Sequence, residues 1–489
     1  MIAGEGAGTA SRWATARSPF IYEINTWPWL TGLATNLSSV PGEHWDVIAQ
    51  AGFDAVWLMG VWQRSPAGTA IALTDSDLVG AFQSALPDWT PADVVGSPYC
   101  VRGYEVDSRL GGRAGLAAAR QALADRGLGL ILDFVPNHLA PDHPWTSSHP
   151  EYFVQGTEAE LRADPASFLD IDGQVLARGR DPYSPAWPDV VQLNVFSPEL
   201  RHQLVVTLRD IADQCDGVRC DMAMLVMNDV FASTWQDRVG DTPDEDYWPM
   251  AIDAVHRTHP DFHFIAEAYW DTEYALQQQG FDFCYDKRLY DRLIDGDATA
   301  VRQHLSAGKD YQGRLLRFTE NHDEARAAAV LGVAQEEAVT VATLTQTGAR
   351  LVHHGQMAGR KVHLPVFLGR SPHEDSNPEL ASFHQSLLTT LQDNTFRTGQ
   401  WSLCGTAGEH LVAWCWDGDR RWLIIVNLSA TTATGQVRVP WEDLAGRTCQ
   451  LVDPLAGTIV VRSGADLQNG LYIELGPWRW HLFRVEHVR

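Results

Sequence analysis

Three carboxylates in this sequence stand at or just past the end of a short apolar run. Asp221 ends Gly217-Val218-Arg219-Cys220-Asp221, Glu267 ends Phe264-Ile265-Ala266-Glu267, and Asp323 ends Phe318-Thr319-Glu320-Asn321-His322-Asp323. A fourth run, Asp133-Phe134-Val135-Pro136-Asn137-His138, brings a further carboxylate and a histidine. An ionised carboxylate is a nucleophile or a base, and a carboxyl kept protonated is an acid. Two in one cleft with unlike surroundings can therefore divide those roles. Arg219 lies two residues before Asp221, which in a strand puts both side chains on one face. Its cation then favours the ionised form of Asp221. Glu267 follows three apolar residues, a setting that raises a carboxyl pKa toward a useful proton donor. His138 and His322 supply donors beside them. Any one of these residues alone is an ordinary loop residue; the set is what carries weight.

Something must bring these run ends together. Eight apolar runs recur along the chain, at 20–24, 54–59, 129–135, 217–221, 262–268, 281–285, 315–319 and 350–353. They are nearly continuous in apolar character, as parallel strands buried on both faces are. Helical patterns separate them, at 114–126, 198–214, 247–256, 335–345 and 378–391. In the second, Leu200, Leu204, Val205, Leu208 and Ile211 form one stripe, preceded by a Ser197-Pro198-Glu199 start signal. Eight strand–helix alternations predict an α/β fold, a (β/α)8 TIM barrel, whose reactive groups sit at the C-terminal strand ends.

Two segments break the alternation. Residues 139–194 are rich in Pro, Asp, His and aromatics and are too long for a plain connection, so a small inserted subdomain after strand three is expected. From about residue 396 the pattern turns to short alternating runs, at 411–416, 422–427, 436–439, 458–461 and 478–485, which predict a C-terminal antiparallel β-sandwich domain. The expected division is 18–138 and 195–395 for the barrel, 139–194 for the insert and 396–489 for the last domain.

The chain has 489 residues and a formal net charge of -25, which repels nucleic acid but not a neutral ligand such as a sugar. Nineteen tryptophans would suit sugar rings but also fill cores. Seven cysteines, odd in number and without metal-type spacing, fit free thiols in a reducing compartment. Met1 to Arg17 has no apolar stretch of the kind a secretory leader carries, and no run reaches the ~20 residues that span a bilayer. A cytoplasmic location with no membrane partner follows.

The four strand-end segments resemble, in order, the four signature regions of the α-amylase superfamily of glycoside hydrolases. Two further stretches agree: Tyr104-Glu105-Val106-Asp107-Ser108-Arg109-Leu110-Gly111-Gly112, and Trp187-Pro188-Asp189-Val190-Val191-Gln192-Leu193-Asn194. The resemblance runs from about Phe20 to the C-terminus. It implies a retaining α-glycosidase, with Asp221 as nucleophile, Glu267 as acid/base and Asp323 gripping sugar hydroxyls in the transition state. Retention calls for the first two carboxyls about 5–6 Å apart. The resemblance also implies that His138 and His322 donate to the same ring and that Tyr99 stacks on the sugar, and Arg219 is counted with these three as substrate-binding. Transglycosylation or phosphorolysis through the same intermediate is the alternative. A non-catalytic carbohydrate-binding relative would need a missing carboxylate or a membrane anchor.

Departures from the family pattern concern the rim and the metal. Cys100 follows Tyr99 where glucose-trimming relatives carry an Asp, and strand eight ends His353-His354-Gly355-Gln356-Met357 rather than Tyr-Tyr-Gly-x-Glu. Asn137 and Asp189 resemble calcium-ligating positions, but Leu225 offers no ligand and residues 26–39 lack an Asp-rich loop. No metal and no cofactor are expected. Finally, Arg102, Arg178, Arg180, Arg360, Lys361 and Arg370 fall in loops of the catalytic face. They either bind an anionic leaving group or pair with the many acidic residues.

Overall fold

A computed structural model of the chain describes Trp13 and residues 16–488; most of the Met1 to Arg17 segment lies outside them. Eight parallel strands close into a barrel: β1 Phe20–Asn25, β2 Ala55–Met59, β3 Gly129–Phe134, β4 Gly217–Cys220, β5 His263–Ala266, β6 Phe283–Tyr285, β7 Leu315–Arg317 and β8 Ala349–His353. Each pairs with its sequence neighbours, and β8 closes on β1 through Phe20–Arg350 to Glu23–His353. All eight runs expected from the sequence are strands. Several stop earlier than the apolar run does, because the residues after them turn outward into loops.

Alternation along these strands makes two cores. Phe20, Tyr22, Ile24, Val56, Leu58, Leu130, Leu132 and Val218 face the helices. Ile21, Ala55, Trp57, Met59, Ile131, Ile265, Tyr285 and Leu351 fill the barrel interior. The interior is apolar at the bottom and becomes polar one layer below the C-terminal mouth, where Glu23, Asp133 and Arg219 point inward, all buried. The helix Pro198–Ala212 forms as expected, with Ser197 accepting from the Leu200 amide at 3.3 Å. Its stripe of Leu200, Leu204, Leu208 and Ile211 is buried.

The connection after β2 is larger than the sequence suggested. It holds helices Pro66–Ala72 and Ser76–Ala85 and a two-stranded ribbon, Trp62–Arg64 with Val101–Val106. That ribbon leads directly from Tyr99. Within 139–194 the chain forms two small strand pairs, Phe168–Ile171 with Gln174–Ala177 and His138–Leu139 with Val191–Gln192. The second pair staples the segment to the end of β3 and so fixes His138.

After the barrel, a six-stranded and a three-stranded antiparallel sheet enclose one apolar core that includes Leu411, Ile425, Val437, Leu451, Ile473 and Phe483. Four of these strands were not foreseen: Gln400–Leu403, Gly405–Ala407, Thr448–Asp453 and Leu471–Leu475. Each is short, with polar residues on its outer face. Trp414 and Trp416 dock the larger sheet on the barrel by donating their indole N–H groups to the Thr345 carbonyl at 3.1 and 2.8 Å.

Candidate active site

Asp221 and Glu267 are each the first residue beyond a barrel strand. The backbone ladder continues for one more bond at both, from the Asp221 amide to Phe134 O at 2.8 Å and from the Glu267 amide to Cys220 O at 3.0 Å. The two carboxylates are thus held by strand geometry, yet their side chains are free of the sheet. Between them lies Arg219, 1% exposed. Its Nη1 is 2.7 Å from Asp221 Oδ1, and its Nη2 is 2.8 Å from Glu267 Oε2. The guanidinium is wedged against the rings of Trp57, Tyr99 and Tyr285 at 5.0 to 5.7 Å. Asp133 stands behind it, accepting from Trp57 Nε1 and the Gly60 amide at 3.2 and 3.0 Å. Arg219 is thus buried beneath the two carboxylates and three rings, its Nη2 meeting Glu267 as an ion pair without a hydrogen bond in line.

Glu267 is gripped from two further sides. The Met222 amide donates to Oε2 at 2.6 Å, and the Tyr269 hydroxyl donates to Oε1 at 2.9 Å. Met222 adopts a left-handed φ of 42°, an uncommon backbone state for its type, and this turn aims its amide at Glu267. Across the floor, His322 is buried with its Nε2 2.9 Å from Asp323 Oδ2 and 2.7 Å from the Tyr99 hydroxyl. Asp323 is the most open of the three, with 43% of its side chain exposed. His138 packs its ring on Trp187, with centroids 5.1 Å apart.

A pocket of about 400 Å³ opens over this floor, lined by Tyr99, His138, Trp187, Asp221, Glu267, Tyr269 and Asp323 among others. Five of the seven residues singled out in the sequence reach its wall. Arg219 and His322 lie just beneath and between them touch Tyr99, Asp221, Glu267 and Asp323. Sequence reasoning did not single out Tyr269, Met222, Asp181 or Glu23. Tyr269 is two residues past Glu267 and could have been found by the same alternation that linked Arg219 to Asp221. Asp181, which also lines the pocket, sits in a segment without periodicity and gave no signal.

Protonation differs across the floor. Burial pushes the Asp221 carboxyl up and Arg219 pulls it back, leaving it at about 6. Burial pushes Glu267 further, to about 7, against Arg219 and with the help of the Asp221 and Asp323 charges. Burial opposes ionisation of Asp323 too, but the His322 cation outweighs it and holds the carboxyl at about 2. His138 is driven down to about 4 by burial and is neutral at pH 7.

The residues resembling a calcium site do not fit an oxygen cage. The Gln192 amide nitrogen donates to the Asn137 carbonyl and side-chain oxygens at 2.8 and 2.9 Å, so both are already used. Leu225 is buried and apolar. Among the described residues no cluster of three or more His, Cys, Asp or Glu side chains is spaced to hold an ion. The loop cations are mostly engaged. Arg370 pairs with Asp93 at 2.7 Å and Asp88 at 3.2 Å. Arg102 pairs with Asp142 at 3.5 Å, Arg178 bonds the Pro188 carbonyl, and Arg180 bonds Thr234 O and stacks on Trp235. None of the six lines the pocket. The arrangement favours their pairing within the protein over an anion site.

Comparison with known proteins gives the chain a family and a fold. Residues 42–416 match the family model described as the alpha amylase catalytic domain. The chain is 26% identical over 369 residues to alpha-amylase MalA of Haloarcula japonica, covering 73% of this chain and 47% of that protein. It is 20% identical over 271 residues to alpha-amylase 3 of Dictyoglomus thermophilum, covering 51% and 50%. It thus spans about half the length of the curated relatives it matches. The solved structure of the maltogenic alpha-amylase AmyB from Thermotoga neapolitana superposes with a TM-score of 0.69 at 20% identity, covering 97% of this chain and 99% of that one. With the family model matched over most of its length, this chain belongs to the alpha-amylase family.

Proposed function

We propose that the protein is a retaining glycoside hydrolase that cleaves α-glucosidic bonds in oligosaccharides or small α-glucosides through a covalent glycosyl-enzyme intermediate. The observation that carries the proposal is the single guanidinium of Arg219, 2.7 Å from Asp221 and 2.8 Å from Glu267, beneath a pocket wide enough for a sugar ring. One cation shared by two carboxyls whose pKa values differ leaves one ionised and the other protonated near neutral pH.

In the first step Asp221 attacks the anomeric carbon while Glu267 gives its proton to the departing glycosidic oxygen. Positive charge develops on the sugar, and the ionised Asp323 binds the ring hydroxyls most strongly at that stage. In the second step Glu267 takes a proton from water, which displaces Asp221 from the anomeric carbon. Two inversions return the starting configuration. The neutral His138 and the stacking face of Tyr99 bind the ring without adding charge. The chain's negative charge is compatible with an uncharged carbohydrate. Seven buried thiols, none in a disulfide, fit a cytoplasmic setting.

The test is a panel of α-glucosides incubated with and without inorganic phosphate, with products separated by chromatography. Release of free sugar independent of phosphate is expected. Glucose 1-phosphate as the main product would replace hydrolysis with phosphorolysis, and longer oligosaccharides at early times would replace it with transglycosylation.

A further inference from the structure

Glu23 sits in the middle of β1, in a strand otherwise without charge, Phe20-Ile21-Tyr22-Glu23-Ile24-Asn25. It is level with Trp57 on β2 and His353 on β8, and none of its surface reaches solvent. A carboxylate there loses several kcal/mol of hydration unless a cation answers it. His322 answers it: Glu23 Oε1 is 2.6 Å from His322 Nδ1, while Oε2 has no hydrogen-bond partner. The other ring nitrogen faces Asp323 at 2.9 Å and the Tyr99 hydroxyl at 2.7 Å. A neutral imidazole has one N–H, and an ionised carboxylate only accepts. An imidazole protonated at Nδ1 alone would serve Glu23 and accept from the Tyr99 hydroxyl, but would set the Nε2 lone pair 2.9 Å from Asp323; two carboxylates this close to one ring favour a proton on both nitrogens.

We propose that Glu23 is a positioning residue whose buried carboxylate locks His322 as an imidazolium, with its Nε2 beside Asp323 on the pocket floor. Glu23 does not line the pocket and acts only through His322. Its effect on turnover rests on the glycosidase reading above, but the charge state of His322 does not.

The groups around His322 set how much this pairing matters. Arg219, beneath the Tyr99 ring, opposes a second positive charge. His363, whose Nε2 is 2.9 Å from the His322 carbonyl, opposes it too when protonated. His353 on β8 is driven down to about 3, chiefly by burial, and adds no charge. Asp133 lies further off and favours the cation. Burial disfavours charge on His322, and Asp323 and Glu23 overcome it, pushing the group up to about 10. Without Glu23 one of two direct anions is lost. The imidazolium then weakens, and Asp323 loses the charge that keeps it ionised.

The experiment is long-range ¹H–¹⁵N NMR of the full chain labelled at histidine nitrogen, followed from pH 5 to 9.5, with the His322 signals assigned through His322→Gln. Wild-type His322 should carry both protons at pH 8. In Glu23→Gln, which keeps the shape, its pKa should fall by more than about one unit. kcat on an α-glucoside should fall about tenfold or more. Glu23→Asp should restore part of the imidazolium signature, which a purely structural role would not require. A neutral His322 in the wild type at pH 7.5 overturns the proposal, and so does an imidazolium that persists to pH 9 in Glu23→Gln. If Glu23→Gln does not fold, the wild-type and Glu23→Asp spectra decide the matter. A doubly protonated His322 in a chain that cleaves no α-glucoside supports the role of Glu23 and removes the proposed function.

Discussion

Asp221 and Glu267 share an arginine, and the proposed mechanism gives them unequal work that leaving-group chemistry can separate. Asp221→Asn should lower kcat by about a thousandfold or more on every α-glucoside. Glu267→Gln should do the same on a sugar leaving group but much less on α-glucosyl fluoride, because fluoride leaves without a proton. Steady-state rates on both substrates check this, and equal losses for Glu267→Gln on the two would remove the acid role. The carboxyls at about 6 and about 7 also predict a bell-shaped kcat/KM. The acid limb follows loss of ionised Asp221 as pH falls, and the alkaline limb follows loss of the Glu267 proton as pH rises. The two are coupled, so the limbs belong to the pair. Glu267→Gln should flatten the alkaline limb in the pH profile of residual activity.

At the scale of elements, the barrel strands were legible because a parallel strand buried on both faces has an apolar signature that little else imitates. The three carboxylates were legible because strand ends are where that signature stops. Glu23 was not, since a strand scored by its apolar neighbours hides the one charge within it. The helices after β2 were hidden too: 66–72 and 76–85 carry Gly, Thr, Asp and Ser and present only a narrow apolar face. Elements also carry features the floor does not explain. Glu336, on helix Val333–Leu344, is buried with neither carboxyl oxygen hydrogen-bonded. Burial first, then the charges of Glu320 and Glu337, pushes it up to about 8 from 4.5. A raised carboxyl gives its full stability below the ordinary value and loses it as pH rises toward the raised one. Glu336→Gln should therefore raise the melting temperature at pH 8, by an amount reflecting about 1 kcal/mol or more, and leave it unchanged or lower at pH 4. Thermal melts at the two pH values test it. The loop after β5 holds Trp270 at φ 59° and Asp271 at φ 63°, with Asp271 paired to Arg288. Trp270, 38% exposed, meets the exposed ring of Tyr183 at 4.8 Å, just past the Tyr269 that grips Glu267. In the proposed mechanism the leaving group departs on the side of Glu267. Trp270→Ala should raise KM for maltotriose about threefold to tenfold with a smaller change in kcat, as loss of a stacking face does. A change in kcat alone would place the ring elsewhere in the cycle.

For the whole molecule, the C-terminal sheets and the barrel are one packing problem. Trp414 and Trp416 are buried and tied to the Thr345 carbonyl, at the end of the same helix that carries Glu336. A chain ending near residue 398 would leave that helix face uncovered, so it should be recovered as aggregate rather than as an active barrel. Soluble, active protein from that truncation would show the two parts to be independent. In the proposed mechanism a nucleophile at the end of β4 makes a covalent bond to the sugar. The measurement that tests it most directly is trapping with 5-fluoro-α-glucosyl fluoride, followed by peptide mass spectrometry of the inactivated protein. The account predicts a single fluoroglucosyl ester, on Asp221. An ester on Glu267, Asp323 or any other side chain would contradict it, as would an enzyme that turns over the parent α-glucosyl fluoride and never becomes labelled.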